Sequence, residues 1–441
     1  MRVLVIGGGA REHAICKAVC NSDGKLYSVM KNLNPGIKRL AKDYFIHNEM
    51  DAEKVLEYAL KKKIELAIIG PEASEEAGVT NVLEENGIKV ASPSKEAAEI
   101  ETSKEFMRNL MEKYKIKGSV KCRVFSDAEM AREFIEMLDG EVAIKPIGLT
   151  GGKGVKVAGD HFNSIEEAVE YAKEVIEKKI GGHSKVLIEE KVVGEEFTLQ
   201  AFCDGNAIYP MPAVQDHKRL LPGDKGPNTG GMGSYSHKSG ILPFMTPDDY
   251  EEAATILQKI VEALKKEGRK YKGVIYGQFM LTADGVKVIE INARFGDPEA
   301  MNVLPLLKTN FLEICMAMVE GNLSNKKISF ENKSTVCKYV VPEGYGIKPI
   351  AGKEIRVNEE KIKGKGGLLF YASVNEKNGK IYTTTSRSLA VVGIAEEIED
   401  AEKICEECLK FVEGEHIFIR HDIGKKELIE KRIRHMEMLR G

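Results

Sequence analysis

Val288-Ile289-Glu290-Ile291-Asn292-Ala293-Arg294-Phe295-Gly296-Asp297-Pro298 is the stretch around which the chain is organised. Apolar and polar residues alternate at its start, which predicts a strand. Residues two apart on a strand share a face, so Glu290 and Asn292 present a carboxylate and an amide oxygen side by side. Hard cations such as magnesium take oxygen ligands of this kind, together with nucleotide phosphates. Arg294 follows on that face, with a planar fork suited to phosphate or carboxylate. An ordinary strand with a solvated polar face is the plain alternative. Just upstream, Val274–Leu281 predicts a second strand, and Asp284-Gly285 a hairpin turn that sets Gln278 across from the first.

Outward from this hairpin, other segments carry glycine and lysine. Val142–Lys145 predicts a strand that delivers Lys145, and Gly148-Leu149-Thr150-Gly151-Gly152-Lys153-Gly154 follows it. The spacing is wrong for a Walker A loop, and Gly154 stands where that loop needs Ser or Thr. Val155–Val157 reads as a returning strand, so the segment is expected to be a glycine-rich hairpin lid whose amides approach phosphate. Val186–Ile188 predicts a strand ending at Glu189-Glu190, and consecutive carboxylates there suit the polar groups of a nucleoside. Gln215-Asp216-His217-Lys218-Arg219 and Gly226–Ser234 read as dense polar loops, and loops this long inside a domain are usually functional or disordered. His217 is expected to be a hydrogen-bonding loop residue without a catalytic role.

The first segment, to residue 92, alternates strand and helix: Val3–Ile6, a turn at Gly7-Gly8-Gly9, a helical pattern over 51–63 and a strand at Leu66–Ile69. That order predicts a parallel sheet with ligands beyond its carboxyl edge. The glycine turn fails as a dinucleotide fingerprint, because Glu12 occupies the third glycine position. A phosphate on the helix N-terminus, helped by Arg11, remains an expectation, beside a plain tight turn. One helical region is expected from Ser94 to about Lys115. Beyond about residue 325, strands at 336–341, 368–374, 380–384 and 389–392 and a helix over 396–412 predict a small mixed domain. The expected division is 1–92, 93–325 with a lid over about 120–192, and 326–441.

Composition bounds the function classes. The 441 residues are 43% hydrophobic and 30% charged, with a formal net charge of −3. Nothing in that balance favours a nucleic acid or a membrane surface as partner. No apolar run is long enough to span a bilayer, and the N-terminus reads as a strand rather than a signal peptide. The eight scattered cysteines read as reduced thiols of a cytoplasmic protein. Cys405-Glu406-Glu407-Cys408 has no second pair nearby and reads as part of a helix rather than a metal site.

A lysine-bearing strand, a glycine lid, an acidic strand end and a Glu-x-Asn strand together resemble an ATP-grasp enzyme. The whole chain is similar to the phosphoribosylamine–glycine ligases, also called glycinamide ribonucleotide synthetases. The runs Gly226–Ser236 (GPNTGGMGSYS) and Phe295–Glu299 (FGDPE) carry this resemblance most specifically. It implies an α/β fold with a parallel pre-ATP-grasp domain, an ATP-grasp domain with a mobile lid, and a small α+β domain. It also implies ATP-driven joining of glycine to 5-phosphoribosylamine through an acyl phosphate, by a monomer, with magnesium or manganese. By the same resemblance Lys104, Lys145, Gly148, Gly151, Gly152, Lys153 and Gly154 hold ATP phosphates. Glu189, Glu190, Val192 and Glu196 face the nucleoside. Glu290, Asn292 and Gln278 hold the metal. Gly8, Gly9, Arg11, Glu12, Asp216, Lys218, Asn228, Thr229, Gly230, Arg294 and Asp297 face the amine and glycine, with Arg294 and Lys145 taken as catalytic. The chain departs from the common pattern at Pro146-Ile147, Ala73-Ser74, Asn81, Ile37 and Thr385-Ser386.

Overall fold

The computed structural model describes residues 1–149 and 154–441. Five parallel strands build the N-terminal sheet, in the spatial order Asp43–Ile46, Lys25–Met30, Arg2–Ile6, Leu66–Ile69, Lys89–Val90. Val3 and Val5 pack toward one core with the helix Ala10–Asn21, while Leu4 and Ile6 pack toward another with Ala52–Lys62 and Val79–Glu85. Both faces are covered, which is why these strands are short apolar runs without alternation. The chain order reverses beside Arg2–Ile6, and a crevice opens there at the carboxyl ends of the strands.

A separate antiparallel sheet, in the order Cys122–Phe125, Val186–Glu190, Val142–Pro146, Lys156–Val157, carries the helices Ala128–Met137 and Ile165–Glu177. It has its own core, including Phe134, Ile144, Val175 and Ile188. Lys156–Val157 returns antiparallel along Val142–Pro146, so the glycine segment does connect a hairpin. Thr150, Gly151, Gly152 and Lys153 lie outside the described residues.

The largest sheet runs from Gly285–Asn292 through Gly273–Thr282, Glu195–Cys203, Val214–Asp216 and Gly233–Ser236 into Ser334–Pro342, Leu389–Ala395 and Leu368–Tyr371. The change of texture after residue 325 therefore does not end the sheet: Gly233–Ser236 pairs directly with Ser334–Pro342. The hairpin expected at Asp284-Gly285 joins its first two strands one residue earlier, with Ala283-Asp284 as the turn and Gly285 paired with Thr282 at positive φ. Asn378-Gly379 closes the hairpin of a smaller C-terminal sheet, both residues having the positive φ that such a turn needs.

Some elements differ from the sequence expectations. The helical region after Ser94 breaks into Lys95–Thr102 and Lys104–Lys113. Ser103 is extended there, and its hydroxyl accepts from the Phe106 N–H at 3.1 Å, capping the second helix. The polar region 214–236 is not irregular. It forms four short strands, two of which (Arg219–Leu221 and Lys225–Asn228) make a hairpin. The expected 368–374 strand is cut because Asn34 draws the Tyr371 carbonyl at 2.7 Å, and Val374 then enters the smaller sheet. The strand Glu195–Cys203 and the helix Lys426–Arg440 had no clear periodicity. The former is buried along nearly its whole length, and the latter is rich in charge.

Candidate active site

Lys145 stands near the end of its strand, diagonal to Glu189 on the neighbouring antiparallel strand. Its Nζ lies 2.6 Å from Glu189 Oε2 and 3.3 Å from the Ile289 carbonyl. Arg108 takes the other Glu189 oxygen at 2.6 Å. Burial works against the Glu189 charge, but Arg108 and Lys145 win and hold its pKa below the ordinary value. The reading of Glu189 and Glu190 as paired ligands is corrected here. Neighbours on a strand face opposite ways, and Glu190 instead accepts from the Lys121 N–H at 2.9 Å. Glu189 is itself committed to two cations rather than open to a nucleoside. Val192, half-buried, follows the strand end.

Lys104 opens its helix and donates to the Gly148 carbonyl at 3.1 Å, tying that helix to the start of the glycine segment. Burial lowers its pKa, Glu290 opposes that, and Lys145 adds to it. A side chain at Gly148 would sit 2.3 Å from the Gly181 carbonyl, so only glycine passes there. Gly154, at positive φ, is fixed by Tyr171, whose hydroxyl donates to its carbonyl at 2.6 Å.

Across from these lysines, Asn292 Nδ2 lies 3.4 Å from Glu290 Oε1, so the two side chains do share a face. A bulge at Ile289 brings Gln278 directly opposite Glu290. Gln278 is fully buried and occupied. Its Nε2 donates to Glu196 Oε2 at 2.9 Å, and its Oε1 lies 2.6 Å from the Tyr276 hydroxyl. It therefore braces the site, with its amide already spent on protein partners, and is poorly placed as a third metal ligand. Glu196 also accepts from Lys218 at 3.0 Å. Burial opposes the Glu290 charge, yet Lys218, Lys104 and Lys145 keep its pKa below the ordinary value. Three lysines and one carboxylate thus act on the same space. No cluster of three or more His, Cys, Asp or Glu among the described residues could hold a metal by itself. A single carboxylate and an amide oxygen fit magnesium, which completes its shell with water and phosphate oxygens.

The crevice of the N-terminal sheet is the third wall. Gly9 N–H donates to Glu12 Oε2 at 2.6 Å. A side chain at Gly7 or Gly70 would strike the Glu12 side chain, at 2.5 and 2.0 Å. The glycine turn therefore makes room for a buried carboxylate, and Glu12 takes an amide at the helix start that had been expected to serve a phosphate. Gly8 sits beside it, with Asn34 Nδ2 2.9 Å from its carbonyl. Arg11 pairs with Glu12 at 2.6 Å and reaches the Phe295 carbonyl at 3.2 Å. Arg294 pairs with Glu101 at 2.9 Å and with Glu72 at 3.5 Å. Burial opposes the Glu72 charge, but Arg294 and Arg11 lower its pKa to about 2.

The loops from the large sheet close this wall. Asn228 pairs with Arg219 in the hairpin, and Thr229 donates to the Lys218 carbonyl at 2.8 Å. Asp216 has a buried oxygen without a partner, and burial raises its pKa against the pull of Lys218. Arg387 donates to the Gly230 carbonyl at 2.5 Å and pairs with Asp297 at 3.2 Å, which joins the two family-specific runs. His217 is buried with neither ring nitrogen hydrogen-bonded, contrary to the expectation of a hydrogen-bonding residue. Burial lowers its pKa to about 3, so it stays neutral. Arg108, Glu101, Tyr276 and Arg387 escaped the sequence reading. All four lay beside segments with a signal: Glu101 and Arg108 flank Lys104, Tyr276 shares the strand of Gln278, and Arg387 follows the Thr385-Ser386 departure.

A small antiparallel sheet bearing Lys145, beside a strand that bears Glu290 and Asn292, is the arrangement of an ATP-grasp enzyme. Biotin carboxylase from Campylobacter jejuni, solved as a β,γ-ATP complex, shares this fold at a TM-score of 0.73 and 12% identity, over 99% of this chain and 95% of that one. Residues 102–300 match the family model described as phosphoribosylglycinamide synthetase, ATP-grasp (A) domain, residues 1–101 its N domain and residues 335–426 its C domain. The phosphoribosylamine–glycine ligase of Methanothermobacter thermautotrophicus is 56% identical over 441 residues, covering 100% of both chains. That of Methanocaldococcus jannaschii is 54% identical over 445 residues, again covering 100% of both. The crystal structure of the Thermotoga maritima ligase matches at a TM-score of 0.81 and 30% identity, over 96% of this chain and 100% of that one. The chain belongs to the phosphoribosylglycinamide synthetase family and is an enzyme of the ligase class.

Proposed function

We propose that the protein joins glycine to 5-phosphoribosylamine at the expense of ATP, through glycyl phosphate, giving glycinamide ribonucleotide, ADP and phosphate. One observation carries this reading: Lys145, at the Ile289 carbonyl, and Lys218, linked through Glu196 to Gln278, border the face on which Glu290 and Asn292 stand side by side. Phosphoryl transfer asks for positioning and charge neutralisation more than for a nucleophile, and this wall supplies them. Lys104, Lys145 and the glycine segment bind the phosphates. Arg294, held by Glu72 and Glu101, orients the glycine carboxylate, whose oxygen takes the γ-phosphoryl group as the bond to ADP breaks. The amine nitrogen then forms the amide bond, and phosphate leaves with the acyl oxygen. Glu290 and Asn292 would hold magnesium, or manganese in its place, which supplies charge neutralisation at the phosphates when bound. Gly8, Gly9, Arg11, Asp216, Lys218, Asn228, Thr229, Gly230 and Asp297 form the amine side, with Glu12 shaping the turn beneath it. Glu196 is assigned to the nucleoside ribose.

We assign residues 1–92, 93–325 and 326–441 as working units, with a lid over about 120–192. The separate core around Phe134 and Ile144 supports the lid. We place the enzyme in the cytoplasm as a monomer. The test is phosphate release with ATP, magnesium, glycine and freshly generated phosphoribosylamine, each omitted in turn. Release that persists undiminished without the amine overturns the reading.

A further inference from the structure

Resting on that reading, we propose that Arg108 is the positioning residue that sets Lys145 against Glu290 and leaves the Arg108–Glu189–Lys145 trio with a net positive charge toward the phosphates. Arg108 lies one turn beyond Lys104 on the same helix face and is 2% exposed. Its Nε donates to Glu189 Oε1 at 2.6 Å, while its Nη2 donates to the carbonyls of Val288 and Ile289 at 3.0 and 3.1 Å. Lys145 Nζ lies 2.6 Å from the other Glu189 oxygen and 3.3 Å from the same Ile289 carbonyl. The four groups close a ring: guanidinium, carboxylate, ammonium and carbonyl. That ring joins three elements at one point, namely the Lys104–Lys113 helix, the lid strand and the metal strand.

The place of the ring on the metal strand is specific. Ile289 is the bulged residue, so the strand leaves its ladder just before Glu290. One planar fork satisfies a carboxylate and two successive carbonyls there, which a point charge such as lysine does not match. The charge balance is equally specific. Glu189 alone would neutralise Lys145. With Arg108 present the trio carries a net positive charge, which remains available to an anionic ligand. A residue that only filled the core would need neither the second cation nor the fork.

The test separates positioning from mere support. Binding of the magnesium complex of β,γ-methylene-ATP is measured by calorimetry for wild type, Arg108→Met and Arg108→Lys, with melting curves to establish folding. Arg108→Met is expected to bind at least about tenfold more weakly, the scale of lost outer contacts, with KM for glycine unchanged. Arg108→Lys restores the charge without the fork and is expected to fall between. A folded Arg108→Met that binds within about twofold of wild type overturns the proposal. If Arg108→Met does not fold, Arg108→Lys decides by the same criterion. Failure of wild type to ligate glycine would overturn the proposed function, while the binding comparison would still judge Arg108.

Discussion

Lys145 shows how one side chain acts through its surroundings. It is nearly buried, yet its ammonium is shared between Glu189 and the Ile289 carbonyl. Lys145→Met should lose about a hundredfold or more in rate, the scale of one electrostatic contact in catalysis. Folding should survive, because Arg108 still neutralises Glu189. Near-wild-type phosphate release from a folded variant would make the lysine merely structural. Glu75 offers a stability test. Its carboxylate is buried without a hydrogen-bond partner, and burial, then Glu101, raise its pKa well above 4.5. A raised folded-state pKa means that its contribution is full below 4.5 and is lost as pH climbs toward the folded value, because the unfolded chain releases the proton first. Glu75→Gln keeps the shape and removes that proton. Its gain in melting temperature over wild type should grow from about pH 5 to about pH 8. A pH-independent difference would contradict the assignment.

At the scale of the element, the strand Gly285–Asn292, proposed to hold the metal, is the sharpest case. Alternation alone placed Glu290 and Asn292 on one face. The bulge at Ile289 then aimed that face at Lys104, Lys145 and Lys218. Glu290→Gln retains size but loses the anion, so the magnesium concentration needed for half-maximal turnover should rise steeply. Asn292→Asp should keep more function, since a carboxylate is also a hard oxygen ligand. A magnesium titration at saturating ATP reads both, and an unchanged dependence in Glu290→Gln would remove the strand from the metal site. Alternation also puts Glu195 and Glu196 on opposite faces, and the resemblance alone singled out Glu196 for the nucleoside. Both are carboxylates at one strand end, but Glu196 turns to Lys218 and Gln278 while Glu195 turns to the C-terminal helix.

Across the whole molecule, that helix, Lys426–Arg440, packs the C-terminal segment against the strand that carries Glu195 and Glu196. Arg432 pairs with Glu195 at 3.1 Å and with Asp224 of the 219–228 hairpin, and Arg440 pairs with Asp249 at 2.7 Å. Arg432→Met takes one cation from two largely buried carboxylates, leaving Glu195 to His435 and Asp224 to Arg420. A loss of about 1.5–3 kcal/mol in denaturant unfolding is expected, the scale of a lost hydrogen bond to a charged group. The same change should raise KM for phosphoribosylamine, because the hairpin follows Lys218 directly. Unaltered stability together with unaltered KM would show that the helix is only appended.

The sequence by itself determined what local rules write. The strand–helix alternation before residue 92, the hairpin near Asp284 and the shared face of Glu290 and Asn292 follow from burial of one face and from turn chemistry, which act over a few neighbours. The runs at 226–236 and 295–299 pointed to the family for the same reason, as fixed local strings. Tertiary structure alone decided what lies between distant segments. Glu12 fills the glycine turn because Gly70 approaches it from another strand, Gln278 is occupied because Glu196 reaches it from the neighbouring strand, and Arg108 meets carbonyls 180 and 181 residues away. A charged side chain carries no periodic mark of its partner, and buried charge is tolerated only where packing brings that partner within hydrogen-bond reach.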